Sequence, residues 1–183
     1  MARLTLVLIL FLAWSLAPAQ KQGVMDQLNQ LLADSRFDAV IALADATPGN
    51  TPLLNLEIQN KKVEALVRLG KLDEADNLLE TLLTKAKETK NAGKQMAMLQ
   101  TTKGFLQLNR GRIDLAIEEL EAAIQKFDAE NQTRSLEMAD ALAHLGNVYR
   151  TSAKWSQAEE HLLRALAIRQ EKLPADHELI AAT

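Results

Sequence analysis

ALAHLGNVYRTSAKWSQAEEHLLRALAIRQEKLPADH, residues 141–177, decides the fold of this chain. Its two halves each carry an apolar stripe at helical spacing. Leu142, Leu145, Gly146 and Tyr149 fall on one face upstream. Ala158, Leu162 and Ala165 fall at i, i+4 and i+7 downstream. Between them lies AKWSQA, beginning at Ala153, which reads as a tight helix-to-helix turn. A small residue suits the left-handed position that closes a helix. Ser156 then enters the first turn of the next helix, where side-chain oxygens meet free backbone N–H groups. Trp155, just before it, is placed to staple the turn to the core.

The same six-residue signature recurs upstream, as SRFDAV from Ser35, GKLDEA from Gly70 and GRIDLA from Gly111, at intervals of 35, 41 and 42 residues. Each begins with a small residue, then a basic one, then an apolar or aromatic one (Phe37, Leu72, Ile113). Asp38, Asp73 and Asp114 take the first-turn position. The stripe that follows also recurs, as Ala75, Leu79, Leu82 and as Ala116, Leu120, Ala123. A large side chain at the alanine that opens each stripe would overpack the contact, at a cost of about 1–3 kcal/mol. The helix before Gly111 carries Leu99, Gly104, Phe105 and Leu108, and Gly104 stands 42 residues before Gly146. Glycine inside a helix costs about 1 kcal/mol against alanine. Two in register therefore imply a place where a neighbouring helix comes close.

A repeat of about 40 residues built as a helix pair is a unit that buries its apolar face only by stacking on its neighbours. The pattern predicts helices over 22–33, 36–46, 52–69, 72–88, 93–109, 113–128, 134–151, 155–171 and 176–182. Pro48-Gly49-Asn50 and Leu173-Pro174 interrupt the chain between units. Residues 141–177 resemble a tetratricopeptide repeat, of the longer variety found in kinesin light chains. The family's small positions map to Gly146, Ala158 and Ala165, and its large ones to Leu142, Leu145, Tyr149 and Leu162. Two departures stand out. Ala143-His144 occupies the place of an Asn-Asn pair, and Glu178, where the family has proline, follows His177. The resemblance implies an all-α fold, a right-handed superhelical solenoid of about four helix-hairpin units. These units are 22–48, 52–90, 93–130 and 134–174, with a partial capping helix over 176–182.

The bulk composition agrees with this and excludes other classes. The chain has 183 residues, 48% hydrophobic and 25% charged, with aromatics at 4%, too few for a typical sheet protein. The net charge is −3 with both signs interspersed, so no basic block awaits a nucleic acid. There is no cysteine, which removes disulfides, thiolate metal sites and a cysteine nucleophile. His144, His161 and His177 are dispersed; His161 reads as a solvated position and His177 as a contact of the last turn. Adjacent acids such as Glu118-Glu119 and Glu159-Glu160 do not face one site. No Gly-rich phosphate loop and no G-x-S-x-G is found. Asn131-Gln132-Thr133 has the form of a glycosylation sequon. The expectation is a protein without cofactor, metal or catalytic centre.

The first residues read as an address. Arg3 precedes the uncharged run Leu4–Leu16, and Ala17-Pro18-Ala19 forms a small-x-small site. This is the pattern of a secretory signal peptide over 1–19, cut after Ala19. As a helix the apolar run is about 20 Å long, short against a bilayer core of about 30 Å. The expectation is export, to a bacterial periplasm or outside the cell, with no membrane span after cleavage. The alternatives are a membrane-anchored sensor or accessory subunit, or the N-terminal part of a larger signalling or catalytic protein.

The resemblance implies a concave groove lined by the first helix of each pair, which binds a protein or peptide. By register the lining is Asn29 in the first unit and Asn60, Lys61, Glu64 and Arg68 in the second. It continues with Thr101, Thr102, Phe105 and Asn109 in the third, then Asp140, His144, Asn147 and Arg150 in the fourth. Lys61, Arg68 and Arg150, with Asn60 and Asn147, are suited to an acidic segment or a carboxylate. Phe105 supplies an apolar anchor among them. An uncapped array end is also open to self-association.

Overall fold

A computed structural model of the chain describes residues 23–183. The expected signal segment, 1–19, lies outside the described residues. Within them the regular structure is helical throughout. Helix α1 spans 23–33, followed by α2 (Phe37–Ala46), α3 (Pro52–Arg68), α4 (Leu72–Glu88) and α5 (Gly93–Asn109). Then come α6 (Ile113–Ala129), α7 (Leu136–Thr151), α8 (Trp155–Lys172) and the short α9 (Glu178–Ala182). None of these helices is long and apolar enough to cross a membrane. Sequential helices pack as antiparallel neighbours, and α3, α5 and α7 also touch one another in series. This is the solenoid the repeat implied.

Two helices start two residues later than the pattern suggested, each where a side chain caps the helix. Ser135 is extended and its hydroxyl accepts from Met138 N at 3.1 Å, so α7 begins at Leu136. His177 Nδ1 accepts from Leu179 N at 3.2 Å, so α9 begins at Glu178.

The four signature turns share one geometry. Ser35, Gly70, Gly111 and Ala153 all have positive φ, from 56° to 74°. After each, the next residue's N–H reaches back to a carbonyl five residues earlier: Arg36 to Leu31, Lys71 to Leu66, Arg112 to Gln107, Lys154 to Tyr149. These are the bonds of a left-handed helix stop, and they satisfy carbonyls the helix end would otherwise strand. The helix that follows gains no side-chain cap at Arg36, Lys71, Arg112 or Lys154. Asp38, Asp73 and Asp114 instead complement the positive helix end from its first turn.

The predicted close approach is present. A Cβ on Gly104 would stand 2.5 Å from Leu120 Cγ and 3.2 Å from the Ala116 carbonyl oxygen. A Cβ on Gly146 would stand 2.7 Å from Leu162 Cγ and 3.2 Å from the Ala158 oxygen. The α5–α6 and α7–α8 hairpins are accordingly the closest pairings in the array. In the second unit the same register holds Val63, fully buried, and the α3–α4 hairpin is more loosely joined. Ala75, Ala116, Ala123 and Ala165 are fully buried, and Ala158 nearly so. The core runs along the array as successive clusters, with Leu79, Leu82, Leu99 and Leu106 in one and Phe127, Met138 and Leu142 in another.

Two aromatic positions differ from expectation. Trp155 is 65% exposed, whereas its counterparts Phe37, Leu72 and Ile113 pack against the core. Those counterparts share clusters with residues of the following unit's first helix, α3, α5 or α7, and among the described residues Trp155 joins no such cluster. His161 is not simply solvated: its ring stacks on Tyr149 with centroids 5.5 Å apart, and burial lowers its pKa. Tyr149 in turn donates its hydroxyl to Glu121 at 3.1 Å, tying α7 to α6.

Candidate concave binding groove

Helices α3, α5 and α7 present successive faces to one side of the array. On α3 the residues Glu57, Asn60, Lys61, Glu64 and Arg68 recur at helical spacing along that side. The Lys61 ammonium lies 3.4 Å from Glu64, and Glu64 lies 3.4 Å from Arg68. Burial works against the Lys61 charge, yet Glu64, Asp140 and Glu137 hold its pKa above the ordinary value. Burial also opposes the Glu64 carboxylate, and Lys61, Arg68 and His144 hold it below the usual range. Because Asp140, Glu137 and His144 all lie on α7, these influences bring the charges of α3 and α7 into one site across α5.

Phe105 is the centre of that site. Its ring lies 4.8 Å from the His144 ring, and the Arg68 guanidinium stands 5.4 Å from its centroid on α3. An arginine over an aromatic face is attracted by the ring's negative face. His144 has its pKa lowered, first by burial; Arg68 and Arg169 reinforce that while Asp140 and Glu64 oppose it. Asp140 accepts from Arg169 Nη2 at 2.8 Å, which fixes α7 to α8. Glu137 pairs with Lys94 at 2.7 Å, and burial is again outweighed by that pairing, so its pKa is lowered.

The remaining candidates divide by environment. Asn60 is 6% exposed, and its Oδ1 has no hydrogen-bond partner among the described residues. Thr101 and Thr102 are buried, and their hydroxyls donate to the Ala97 and Met98 carbonyls of their own helix. Asn109 is exposed and donates to the Phe105 carbonyl. Asn147 accepts from Arg150 Nε at 3.3 Å. Arg150 is exposed and lines a separate cleft beside Trp155, apart from Lys61 and Arg68. Asn29 is exposed on α1.

Glu57 and Gln95 belong to the same face and were missed by register alone. Gln95 Nε2 donates to Glu57 Oε1 at 2.8 Å, a buried bond between α3 and α5, while Gln95 Oε1 is buried with no partner among the described residues. The signal was present in the stripe spacing, since Glu57 lies three residues before Asn60 and Gln95 lies ten before Phe105. Among the described residues no group of three or more His, Asp or Glu is arranged to hold a metal ion.

Residues 95–171 match the tetratricopeptide repeat family. The sequence matches no curated protein. Among solved structures the chain is similar to BtubC (BKLC) from P. vanneervenii, with a TM-score of 0.64 and 19% identity over 85% of this chain. It spans 62% of that protein's length. It is also similar to a Podospora anserina structure described as a kinesin light chain with nearly identical TPR-like repeats. There the TM-score is 0.56 and the identity 16%, over 90% of this chain and 82% of the other. Repeats of this kind generally serve as scaffolds for protein–protein contact. The family is matched over the two tightest hairpins and the solenoid is shared with these structures, so residues 95–171 carry tetratricopeptide repeats.

Proposed function

We propose that the chain is an exported scaffold that holds a segment of a partner protein in the concave groove of α3, α5 and α7, without catalysing a reaction on it. The observation that carries this reading is the Phe105–His144 contact with Arg68 beside it; on the same helix as Arg68, Asn60 has a buried oxygen with no partner among the described residues. It combines an aromatic anchor with a polar group that gains a hydrogen bond when a segment supplies a donor. The charges around it are mutually compensated, with Lys61 and Arg68 on Glu64, and Asp140 on Arg169. An acidic ligand must therefore compete with Glu64. This favours a segment seated by an apolar side chain and by backbone N–H groups over one gripped by its carboxylates.

Export rests on Arg3, the apolar run Leu4–Leu16 and Ala17-Pro18-Ala19. N-terminal sequencing of the purified native protein tests it; Gln20 as first residue supports export and Met1 overturns it. The groove is tested by affinity capture from an envelope extract, comparing wild type with a Lys61→Glu, Phe105→Ala double variant. Loss of a partner with an unchanged circular dichroism spectrum supports the groove. Retention of the same partners by the variant overturns it.

A further inference from the structure

Three carboxylates along α3 and α7 are closely paired: Glu57 with Gln95 at 2.8 Å, Glu137 with Lys94 at 2.7 Å and Asp140 with Arg169 at 2.8 Å. Glu64 differs. Its Oε2 faces Lys61 and its Oε1 faces Arg68, and both nitrogens stand 3.4 Å away. A charge-assisted bond closes to about 2.7–2.9 Å. Burial opposes the charge of Glu64, yet the carboxylate stays ionised. A carboxylate taken partly out of water and loosely paired gains most from a donor that closes on it.

Arg68 is the loosest of the groups around it. It is the last residue of α3 and is exposed. Its guanidinium reaches from Glu64 to the Phe105 ring, 5.4 Å from the centroid, toward the outer limit of a cation–π contact at about 6 Å. It therefore occupies a place made of a carboxylate and an aromatic face without closing on either. Release of such an exposed ion pair to water costs little.

The neighbouring polar groups call for donors. Asn60 is one turn before Glu64 on α3, so the two side chains are neighbours on the helix surface. Asn60 is buried, and its Oδ1 has no partner among the described residues. On α5, Gln95 Oε1 and Gln100 Oε1 are in the same condition. The unpartnered buried side-chain atoms on α3 and α5 are thus all oxygens. A carboxylate brings no donor to them. A guanidinium brings five and no acceptor, in a planar fork that fits a carboxylate and stacks on a ring, and an ammonium has neither the fork nor the stack. The His144 ring, 4.8 Å from that of Phe105, is held toward its neutral form by burial and adds no fixed positive charge against a guanidinium.

We propose that the segment held in the groove carries an arginine, whose guanidinium replaces Arg68 on Glu64 and on the Phe105 ring. Arg68 is the placeholder that pairs this carboxylate in the unbound chain. This rests on the reading of α3, α5 and α7 as a groove and adds the chemistry of its occupant. The probe is N-acetyl-arginine methylamide, titrated into the full-length chain and followed by nuclear magnetic resonance. The readout is the His144 ring protons, assigned by their loss in His144→Gln. The signal shifts and saturates. The citrulline analogue, equal in shape and uncharged, binds about tenfold or more weakly, and Glu64→Gln weakens the arginine probe as much. Arg68→Ala strengthens it by about threefold, the scale of an exposed ion pair that no longer competes. A purely structural role for Arg68 gives no such gain. Circular dichroism confirms that each variant folds. No saturable shift, equal binding of the citrulline compound, equal binding by Glu64→Gln, or weaker binding by Arg68→Ala overturns the proposal. Those outcomes leave the groove standing where the Lys61→Glu, Phe105→Ala variant still loses a captured partner. Retention of every partner by that variant overturns the groove, and this proposal with it.

Discussion

Gly104 faces Leu120 across the α5–α6 hairpin with room for a hydrogen and no carbon: a Cβ there would lie 2.5 Å from Leu120 Cγ. Gly104→Val puts into the third unit the residue that the second unit has at Val63. The hairpin must spread to accept it, at a cost of about 1–3 kcal/mol in urea unfolding. Adding Leu120→Ala relieves the clash, so the double variant is more stable than the sum of the two single changes. Strict additivity would show that the two residues do not touch.

Ala153 carries the same left-handed backbone as Gly70 and Gly111, with φ of 56°, but it has a Cβ. That conformation costs a non-glycine residue about 1 kcal/mol. Ala153→Gly is expected to raise stability by up to about 1 kcal/mol, less the entropy a glycine gives to the unfolded chain. Ser35→Gly follows the same argument. A lower midpoint in denaturant for Ala153→Gly would contradict the turn geometry.

Asn60 keeps a buried oxygen that has no hydrogen-bond partner among the described residues, a condition that costs about 1–3 kcal/mol. Asn60→Leu removes the polar group and improves helix propensity, so the variant is expected to be more stable by about 1 kcal/mol. In the groove reading the same change weakens partner binding. Gain in stability with loss of capture is the outcome to look for. A destabilised variant would mean the oxygen contributes to folding.

His144 and His161 are both held below the ordinary histidine value of 6.5, burial being the first cause in each. The unfolded chain therefore takes up protons that the folded one refuses. Their contribution to stability is complete above 6.5 and is lost as pH falls from there through the lowered folded values. Thermal midpoints measured at about pH 7.5 and about pH 5.5 should show a drop, and His144→Gln should reduce it. Glu64 and Glu137, held low by their basic partners, add a further loss at more acid pH. A midpoint that rises on mild acidification would show that neither ring is held neutral by its surroundings.

Much of the fold was legible because turn chemistry is local. A small residue at 35, 70, 111 and 153 announces a left-handed stop whatever the surroundings, and two glycines in register announce close helices. Trp155 was misread because its staple role presumes a helix on its far side, which is a property of the next unit and not of the turn. His161 sits in a charged stretch, and its stacking on Tyr149 depends on the angle between α7 and α8. That α3, α5 and α7 pack in series followed from register; the electrostatics of the candidate groove did not. Arg169 on Asp140, and Asp140 within reach of Lys61, join residues 29 and 79 positions apart, and only the curvature of the array brings them together. Arg150 was assigned to the groove by register, but a side chain near a helix end turns toward the cleft of α8.

Val63 in place of glycine carries a mechanical corollary. The second hairpin is the looser joint, while the third and fourth are clamped by Gly104 and Gly146. Among the three glycine-register hairpins, the second is therefore the one expected to spread first when the array is bent, and its first helix carries Lys61, Glu64 and Arg68.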